Sequence, residues 1–142
     1  MSTEPVRTTV NQPSDAEVRP AERVDKPWGH EEIFALVEGS YVGKLLFVSA
    51  GESLSLQYHH EKDETIALVS GQVEIDLGAS ADTLRVVSMS PGDSVHVVPG
   101  TLHRLRALQD SVLVEASTAG EGWREDVVRI EDRYGRLGTT AP

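Results

Sequence analysis

The 142-residue chain contains no cysteine, few aromatic residues and no long apolar run. The lack of cysteine excludes a disulfide-stabilised scaffold and thiolate ligands for a metal. Aromatic residues make up only 5% of the chain, so we expect a mainly aliphatic core. A transmembrane helix needs about 18 or more consecutive apolar residues, and the sequence offers no such stretch, so we expect no membrane span.

Positive charge is also scarce. The chain has 23 Asp and Glu against 13 Lys and Arg, a net charge of −10. Such a chain suits the phosphate backbone of a nucleic acid poorly, so we expect no nucleic-acid partner, although arginines gathered in a cleft can still bind a small anion. The N-terminal residues lack the apolar segment of a signal peptide, and we therefore expect a soluble, cytoplasmic protein.

Short β-like segments separated by Gly and Pro turns dominate the chain from Val24 onward. We predict strands in EEIFALV, YVGKLLFVSA, SLSLQYH, TIALVSGQVEIDL, LRVVSM, SVHVVP, HRLRAL and SVLVEAST. Eight or so short strands indicate an all-β sandwich or small barrel. We divide the chain into a polar, mobile N-terminal arm at 1–22, a barrel with a C-terminal closing segment at 23–137, and a tail at 138–142.

Potential metal ligands are concentrated near the middle of the chain. Gln57, His59 and Glu64 lie within eight residues and offer an amide oxygen, an imidazole nitrogen and a carboxylate. These donors suit a divalent transition metal. His103 follows the Pro99-Gly100 turn and is the natural fourth ligand. The sequence therefore predicts a metal site formed by Gln57, His59, Glu64 and His103.

Strand periodicity predicts which way these side chains point. Residues two apart on a strand share a face, so Gln57 and His59 are expected on one side of their strand. The opposite face would carry Leu54, Leu56 and Tyr58 as apolar packing. We therefore expect the ligands to converge on a barrel interior.

The spacing of this segment resembles the first motif of the cupins, G-x5-H-x-H-x3,4-E-x6-G. Gly51, Gln57, His59, Glu64 and Gly71 match every interval, with glutamine in place of the first histidine. A Gln-x-His pair at this place is similar to that of the phosphomannose isomerases, which implies a zinc site made of Gln, His, Glu and His.

The second cupin motif, G-x5-P-x-G-x2-H-x3-N, fits in part. Gly92, Gly100 and His103 are in register, whereas the proline is Pro99, one position late, and Ala107 stands where the motif has asparagine. Three further segments narrow the resemblance, over about residues 24 to 137, to the cupin domain of type II mannose-6-phosphate isomerases. They are KPWG at 26–29, LSLQYHH at 54–60 and DVVRIEDRYGR at 126–136.

This resemblance implies a fold and an activity. The fold is a single cupin barrel, a double-stranded β-helix or jelly roll, with a short N-terminal arm and a C-terminal extension. The activity is aldose–ketose isomerisation of a sugar phosphate through a cis-enediol, with a divalent metal, zinc first and Mn, Fe, Co or Ni as alternatives. An open barrel has strand edges that a second copy would cover, so we also expect a homodimer.

The resemblance also suggests residues for the chemistry. His60, Glu61 and Lys44 are the predicted proton-transfer residues, since a base has to lie near the substrate carbon. Arg129 and Arg136 are predicted to bind the substrate phosphate, because planar guanidinium groups bind phosphate oxygens in pairs.

Departures from the family pattern leave other functions open. The family reads His-His-His-Arg-Ala-Glu-His-Trp, whereas this chain has Glu61 at the third position and Thr65-Ile66 after the glutamate. One alternative is another metal-dependent cupin enzyme, such as an oxygenase, a different sugar isomerase or an epimerase. A second alternative is a non-catalytic cupin that binds a small molecule or regulates a partner.

Overall fold

A computed structural model describes residues 16–139 and 141–142 of the chain. The described residues form eleven β-strands, with one short 3-10 helix, Ala81–Thr83, between the sixth and seventh. The strands are β1 Glu22–Lys26, β2 Gly29–Val37, β3 Tyr41–Val48, β4 Leu56–Tyr58, β5 Glu64–Ser70, β6 Val73–Gly78, β7 Arg85–Met89, β8 Ser94–Val97, β9 Leu102–Ala107, β10 Ser111–Thr118 and β11 Val128–Glu131. No helix among these residues is long and apolar enough to cross a membrane.

The strands form two antiparallel sheets. One has the order β1-β2-β3-β10-β5-β8 and the other β11-β4-β9-β6-β7. Spatial neighbours such as β3 and β10, or β4 and β9, are far apart in the chain, so the chain passes repeatedly from one sheet to the other. This is the connectivity of a jelly roll, and the predicted all-β barrel is confirmed.

The barrel interior changes from apolar at one end to polar at the other. On β10, alternation points Leu113, Glu115 and Ser117 inward in succession. On β5 the same face carries Leu68, Ile66 and Glu64 in that spatial order. The apolar end is a continuous cluster of buried side chains: Trp28, Leu46, Val48, Ile66, Leu68, Val73, Ile75, Leu77, Met89, Val97, Leu105, Ala107 and Leu113. The polar end is where a site can form.

The predicted segment TIALVSGQVEIDL is two strands rather than one. Gly71 separates β5 from β6 and has a φ of +97°, in the left-handed region that favours glycine. A Cβ added there would lie 2.2 Å from the Oγ of Ser111. The turn therefore needs glycine both for its backbone conformation and for the close approach of β10.

Two strands are absent from the sequence prediction. β1 begins at Glu22, within the predicted arm, and pairs with β2, while β11 lies in the closing segment and pairs with β4. Both are short edge strands of mixed polarity, which is why periodicity did not reveal them. Residues 1–15 of the predicted arm lie outside the described residues, and 16–21 carry no strand.

Candidate metal and anion site

The polar end of the barrel encloses a cavity of about 370 Å³, a size suited to a small metabolite. Its walls come from both sheets, because β3, β5 and β10 face β4 and β9 across it. Charged side chains line it together with Trp28, Leu46 and Leu105. The cavity therefore combines an apolar floor with polar walls.

Three predicted ligands meet in this cavity. His59 follows β4, Glu64 opens β5 and His103 lies on β9, and all three are buried. Nε2 of His103 lies 3.1 Å from Oε1 of Glu64, and Nε2 of His59 lies 3.6 Å from the same oxygen. The three donor atoms lie within 4.8 Å of one another, close enough to share one ion.

Hydrogen bonds orient both imidazole rings. Nδ1 of His103 donates to the backbone carbonyl of Thr101 at 2.9 Å, and Nδ1 of His59 donates to the carbonyl of Asp126. In the neutral rings this leaves each Nε2 with its lone pair toward the cavity. Nε2 of His59 is buried without a hydrogen-bond partner, because 3.6 Å to Glu64 is too long for one. An unpartnered buried nitrogen beside a carboxylate and a second imidazole fits a divalent metal.

The charges in this group are strongly coupled. Burial alone would raise the pKa of Glu64, but the hydrogen bond with His103, the neighbouring ring of His59 and the charge of Lys62 hold its pKa well below the ordinary value. Burial would likewise lower the pKa of His103, but Glu64 outweighs it and raises that pKa. Glu64 is therefore ionised and ready to bind a cation.

A buried ion pair behind Glu64 was not predicted. Nζ of Lys62 lies 2.9 Å from Oε2 of Glu115 and 3.4 Å from Oε2 of Glu64, and Ser117 donates to Glu115 at 3.0 Å. Burial works against the charge of Lys62, but the two carboxylates prevail and raise its pKa. Lys62 thus holds one oxygen of Glu64 and leaves the other to the histidines. The available signal was Glu115, a lone carboxylate in phase with Leu113 on a predicted strand.

Asp126 was also missed as a site residue. Its carboxylate accepts the backbone amides of His60, Glu61 and Lys62 at 2.8, 3.0 and 2.9 Å, while its own carbonyl accepts from His59. Burial raises the pKa of a carboxyl, but these three N–H groups prevail and lower the pKa of Asp126. One residue therefore fixes both a ligand ring and the loop that follows it.

Gln57, the fourth predicted ligand, lines the same cavity. It is paired with His103 on β9 and with Arg129 on β11. Its amide oxygen accepts the hydroxyl of Ser55 at 2.6 Å. Gln57 is therefore next to the three-residue group, and its role as a metal ligand stays a prediction.

Leu54 packs against the apolar core, as expected, but the prediction that it lies on the opposite face from Gln57 is wrong. Regular pairing begins only at Leu56, and the preceding residues touch β9 through a single bridge from Ser53 to Arg106. Alternation does not extend through such an irregular segment, so Leu54 lines the cavity together with Gln57.

The three predicted proton-transfer residues do not lie together in the structure. Lys44 on β3 is buried, lines the cavity, and its Nζ lies 3.2 Å from Oε1 of Glu31. His60 and Glu61 are exposed and do not line the cavity. Their loop turns its amides toward Asp126.

The two predicted phosphate-binding arginines both line the cavity. Arg129 on β11 donates to the backbone carbonyls of Thr139 at 3.1 Å and Ala141 at 2.8 Å, and its Nε is buried without a partner. Arg136 forms a bidentate ion pair with the carboxylate of Asp132, with N···O distances of 2.8 and 3.0 Å. Both guanidinium groups therefore border the cavity, and some of their N–H groups already donate to acceptors of the chain itself.

Two facing antiparallel sheets around a cavity with His, Glu and His on its walls define a cupin barrel. Solved cupins share this fold. The capsular polysaccharide assembling protein CapF from Staphylococcus aureus matches with a TM-score of 0.66 and 18% identity, over 84% of this chain and 34% of that chain. Oxalate decarboxylase from Bacillus subtilis matches with a TM-score of 0.66 and 11% identity, over 78% of this chain and 30% of that chain.

The family model for the mannose-6-phosphate isomerase C-terminal region matches residues 13–132, and the chain belongs to this family. The xanthan biosynthesis protein XanB of Xanthomonas campestris is 31% identical over 116 residues, 80% of this chain and 24% of that protein. The mannose-1-phosphate guanylyltransferase ManC of Salmonella typhimurium is 30% identical over 80% of this chain and 23% of that protein. The chain thus spans about a quarter of the length of these curated relatives.

Proposed function

We propose that this cupin is a metal-dependent sugar-phosphate isomerase that interconverts mannose 6-phosphate and fructose 6-phosphate. The observation that carries the proposal is the group of His59, Glu64 and His103, with an unpartnered nitrogen, in a cavity that Arg129 and Arg136 also line. The match to the mannose-6-phosphate isomerase C-terminal family supports this substrate class.

The donor set favours a borderline divalent metal. Two imidazoles and a carboxylate, with the amide oxygen of Gln57 beside them, suit zinc first and also Mn, Fe, Co or Ni. A metal held by these residues would act as a Lewis acid that polarises a sugar carbonyl and stabilises developing negative charge. Lys62 holds Oε2 of Glu64, so the side chain would offer Oε1 alone to the metal.

Proton transfer between C1 and C2 requires a donor and an acceptor inside the cavity. Of the predicted residues, Lys44 is the one that lines it, paired with the buried carboxylate of Glu31. In this proposal Glu31 takes the proton from C2 on a carboxylate oxygen and returns it to C1, a hydroxyl proton passes from O2 to O1, and Nζ of Lys44 stabilises the negative charge that develops on the sugar oxygens. The apolar surfaces of Leu46 and Leu105 limit the access of water.

An assay of the metal-restored protein tests this function. We expect interconversion of mannose 6-phosphate and fructose 6-phosphate, lost in His103→Ala and reduced in Gln57→Ala. His96→Ala is the matched control, because His96 is exposed, pairs with Asp63 and does not line the cavity. A full complement of metal with no turnover of either sugar phosphate would refute the isomerase.

A second candidate is a module that binds a sugar phosphate without converting it. The residues after Glu64 favour it, because Thr65 is exposed and Ile66 packs in the core, so neither adds a polar group to the cavity. This candidate predicts binding of mannose 6-phosphate by calorimetry with no product. Turnover at any measurable rate that His103→Ala abolishes would exclude it.

A further inference from the structure

Lys26 is a cavity residue with no assigned role. It ends β1, the edge strand of one sheet, whereas Arg129 lies on β11, the edge strand of the other. Its side chain is 15% exposed and lines the same cavity as Arg129 and Arg136. Three cations, one at the end of β1 and two in the C-terminal segment, therefore face one space between the two sheet edges.

Acceptors around these cations are too few to neutralise them. Nζ of Lys26 lies 3.9 Å from Oε1 of Glu31, but that oxygen is closer to Lys44, at 3.2 Å. Arg136 uses the carboxylate of Asp132. The groups that face Lys26 are thus Glu31 from β2, Lys44 from β3, Arg129 from β11 and Arg136 beyond it. Around Lys26, three cations therefore act against one carboxylate.

This environment disfavours the charged form of Lys26. Burial, followed by the charges of Lys44, Arg129 and Arg136, outweighs Glu31 and lowers the pKa of Lys26 to about 8. A lysine of this kind can gain a proton when a negative group arrives. The guanidinium groups of arginine stay charged at every pH of interest and cannot respond in this way.

The arginines show where an anion would sit. Arg129 has a buried Nε without a hydrogen-bond partner, and its other nitrogens bind the carbonyls of Thr139 and Ala141. Arg136 also donates to an oxygen of Pro142 at 2.9 Å. At Arg129 the neutral carbonyl oxygens of Thr139 and Ala141 occupy positions that phosphate oxygens would bind more strongly, because hydrogen bonds between two charged groups exceed those to a neutral acceptor.

We propose that Lys26, Arg129 and Arg136 form a single phosphate site, and that Lys26 takes up a proton from solvent when a phosphate dianion binds. The inference rests on the proposed function for its ligand, a sugar phosphate. It adds a third binding residue and a coupling between ligand affinity and pH. Affinity for the dianion should fall as pH rises through the pKa of free Lys26.

Calorimetry in two buffers of different ionisation enthalpy measures this proton uptake directly. Mannose 6-phosphate and inorganic phosphate are each titrated at pH 6.5 and 8.5 into the protein as purified. A sugar phosphate is already a dianion at pH 8.5, because its second pKa is about 6. We expect uptake of more than about half a proton per ligand at pH 8.5. At pH 6.5, where Lys26 is already charged, we expect no uptake, and instead release of the proton that the monoanionic fraction of each ligand loses on binding as the dianion.

The variant Lys26→Arg keeps the positive charge but cannot take up a proton, because arginine stays protonated. We expect Lys26→Arg to bind phosphate without proton uptake at pH 8.5. Lys26→Met removes the charge and should weaken phosphate binding at pH 6.5. Unchanged uptake in Lys26→Arg, or no binding of either anion, would overturn the inference.

If inorganic phosphate binds with linked uptake but mannose 6-phosphate is not isomerised, the inference stands and the isomerase fails. Isomerisation without this uptake would instead support the isomerase and overturn the inference.

Discussion

The base and the mouth of the cavity are built in different ways. At the base, His59, Glu64 and His103 are buried. Lys62 holds one oxygen of Glu64, and backbone carbonyls orient the two imidazole rings. At the mouth, Arg129 donates to the backbone carbonyls of Thr139 and Ala141, neutral acceptors that an anion could displace. In our proposal the base is preorganised for a cation and the mouth adjusts to an anion. The two ends should therefore respond independently to substitution.

The largest expected effect is on metal binding at the base. His103→Ala removes a predicted ligand. Loss of a contact that only supports a ligand typically lowers metal affinity by about 10- to 100-fold, so we expect a larger loss in His103→Ala. Competition with a chelator measures the affinity. His96→Ala removes an exposed histidine and should leave metal affinity unchanged. Equal losses in both variants would place the metal elsewhere.

The ion pair behind Glu64 gives the next effect, on stability. Lys62→Met leaves Glu64 and Glu115 as two buried carboxylates without their cation. Breaking a buried pair from one side costs about 3–5 kcal/mol, which denaturant unfolding of the metal-free protein should show. The double variant Lys62→Met/Glu115→Gln removes one of those charges and should recover part of the loss. A single variant as stable as the parent would show that the pair does not support Glu64.

Anion binding at the mouth should change without any change at the base. Arg129→Ala removes a charged donor, and such a bond contributes about 1.5–3 kcal/mol, so affinity for mannose 6-phosphate should fall about tenfold to a hundredfold. Metal content, measured on the same preparation, should stay the same. Arg85→Ala is the control, because it removes the same charge from an exposed position on β7. A loss of metal in Arg129→Ala would contradict the separation of the two ends.

The smallest effect concerns Asp126, which orients His59 and the loop at 60–62. Its folded pKa lies below the ordinary value, so the stability it contributes is present above about pH 3.8 and is lost as pH falls toward the folded pKa. Asp126→Asn cannot titrate there. We expect thermal unfolding of the parent to depend more steeply on pH than that of Asp126→Asn, between about pH 4 and 2. Parallel curves would mean that the carboxylate is not held by the three amides.

Spacing in the sequence was sufficient to predict the residues that meet at the base. His59, Glu64 and His103 lie at fixed intervals on regular strands or directly beside them, so period-two geometry and the motif bring them together. The same reasoning was wrong for Leu54, where the strand is irregular. It also missed Lys62, because the charged residues around Lys62 predict an exposed segment. In the structure Lys62 is buried and pairs with Glu115 on β10.

Other contacts around the cavity depend on pairings between distant parts of the chain. Lys26 reaches the cavity because β1 is an edge strand, and Asp126 meets the loop at 60–62 across more than 60 residues of sequence. No local pattern encodes such contacts. The homodimer expected from exposed strand edges stays a prediction, which sedimentation of the purified protein would measure.

The central claim, a metal held by two histidines at the cavity base, is tested most directly by X-ray absorption at the edge of the metal in reconstituted protein. The spectrum counts imidazole ligands. We predict two in the parent protein, from His59 and His103, and no more than one in any metal that His103→Ala retains. A parent spectrum without imidazole scattering, or one that His103→Ala leaves unchanged, would contradict the account.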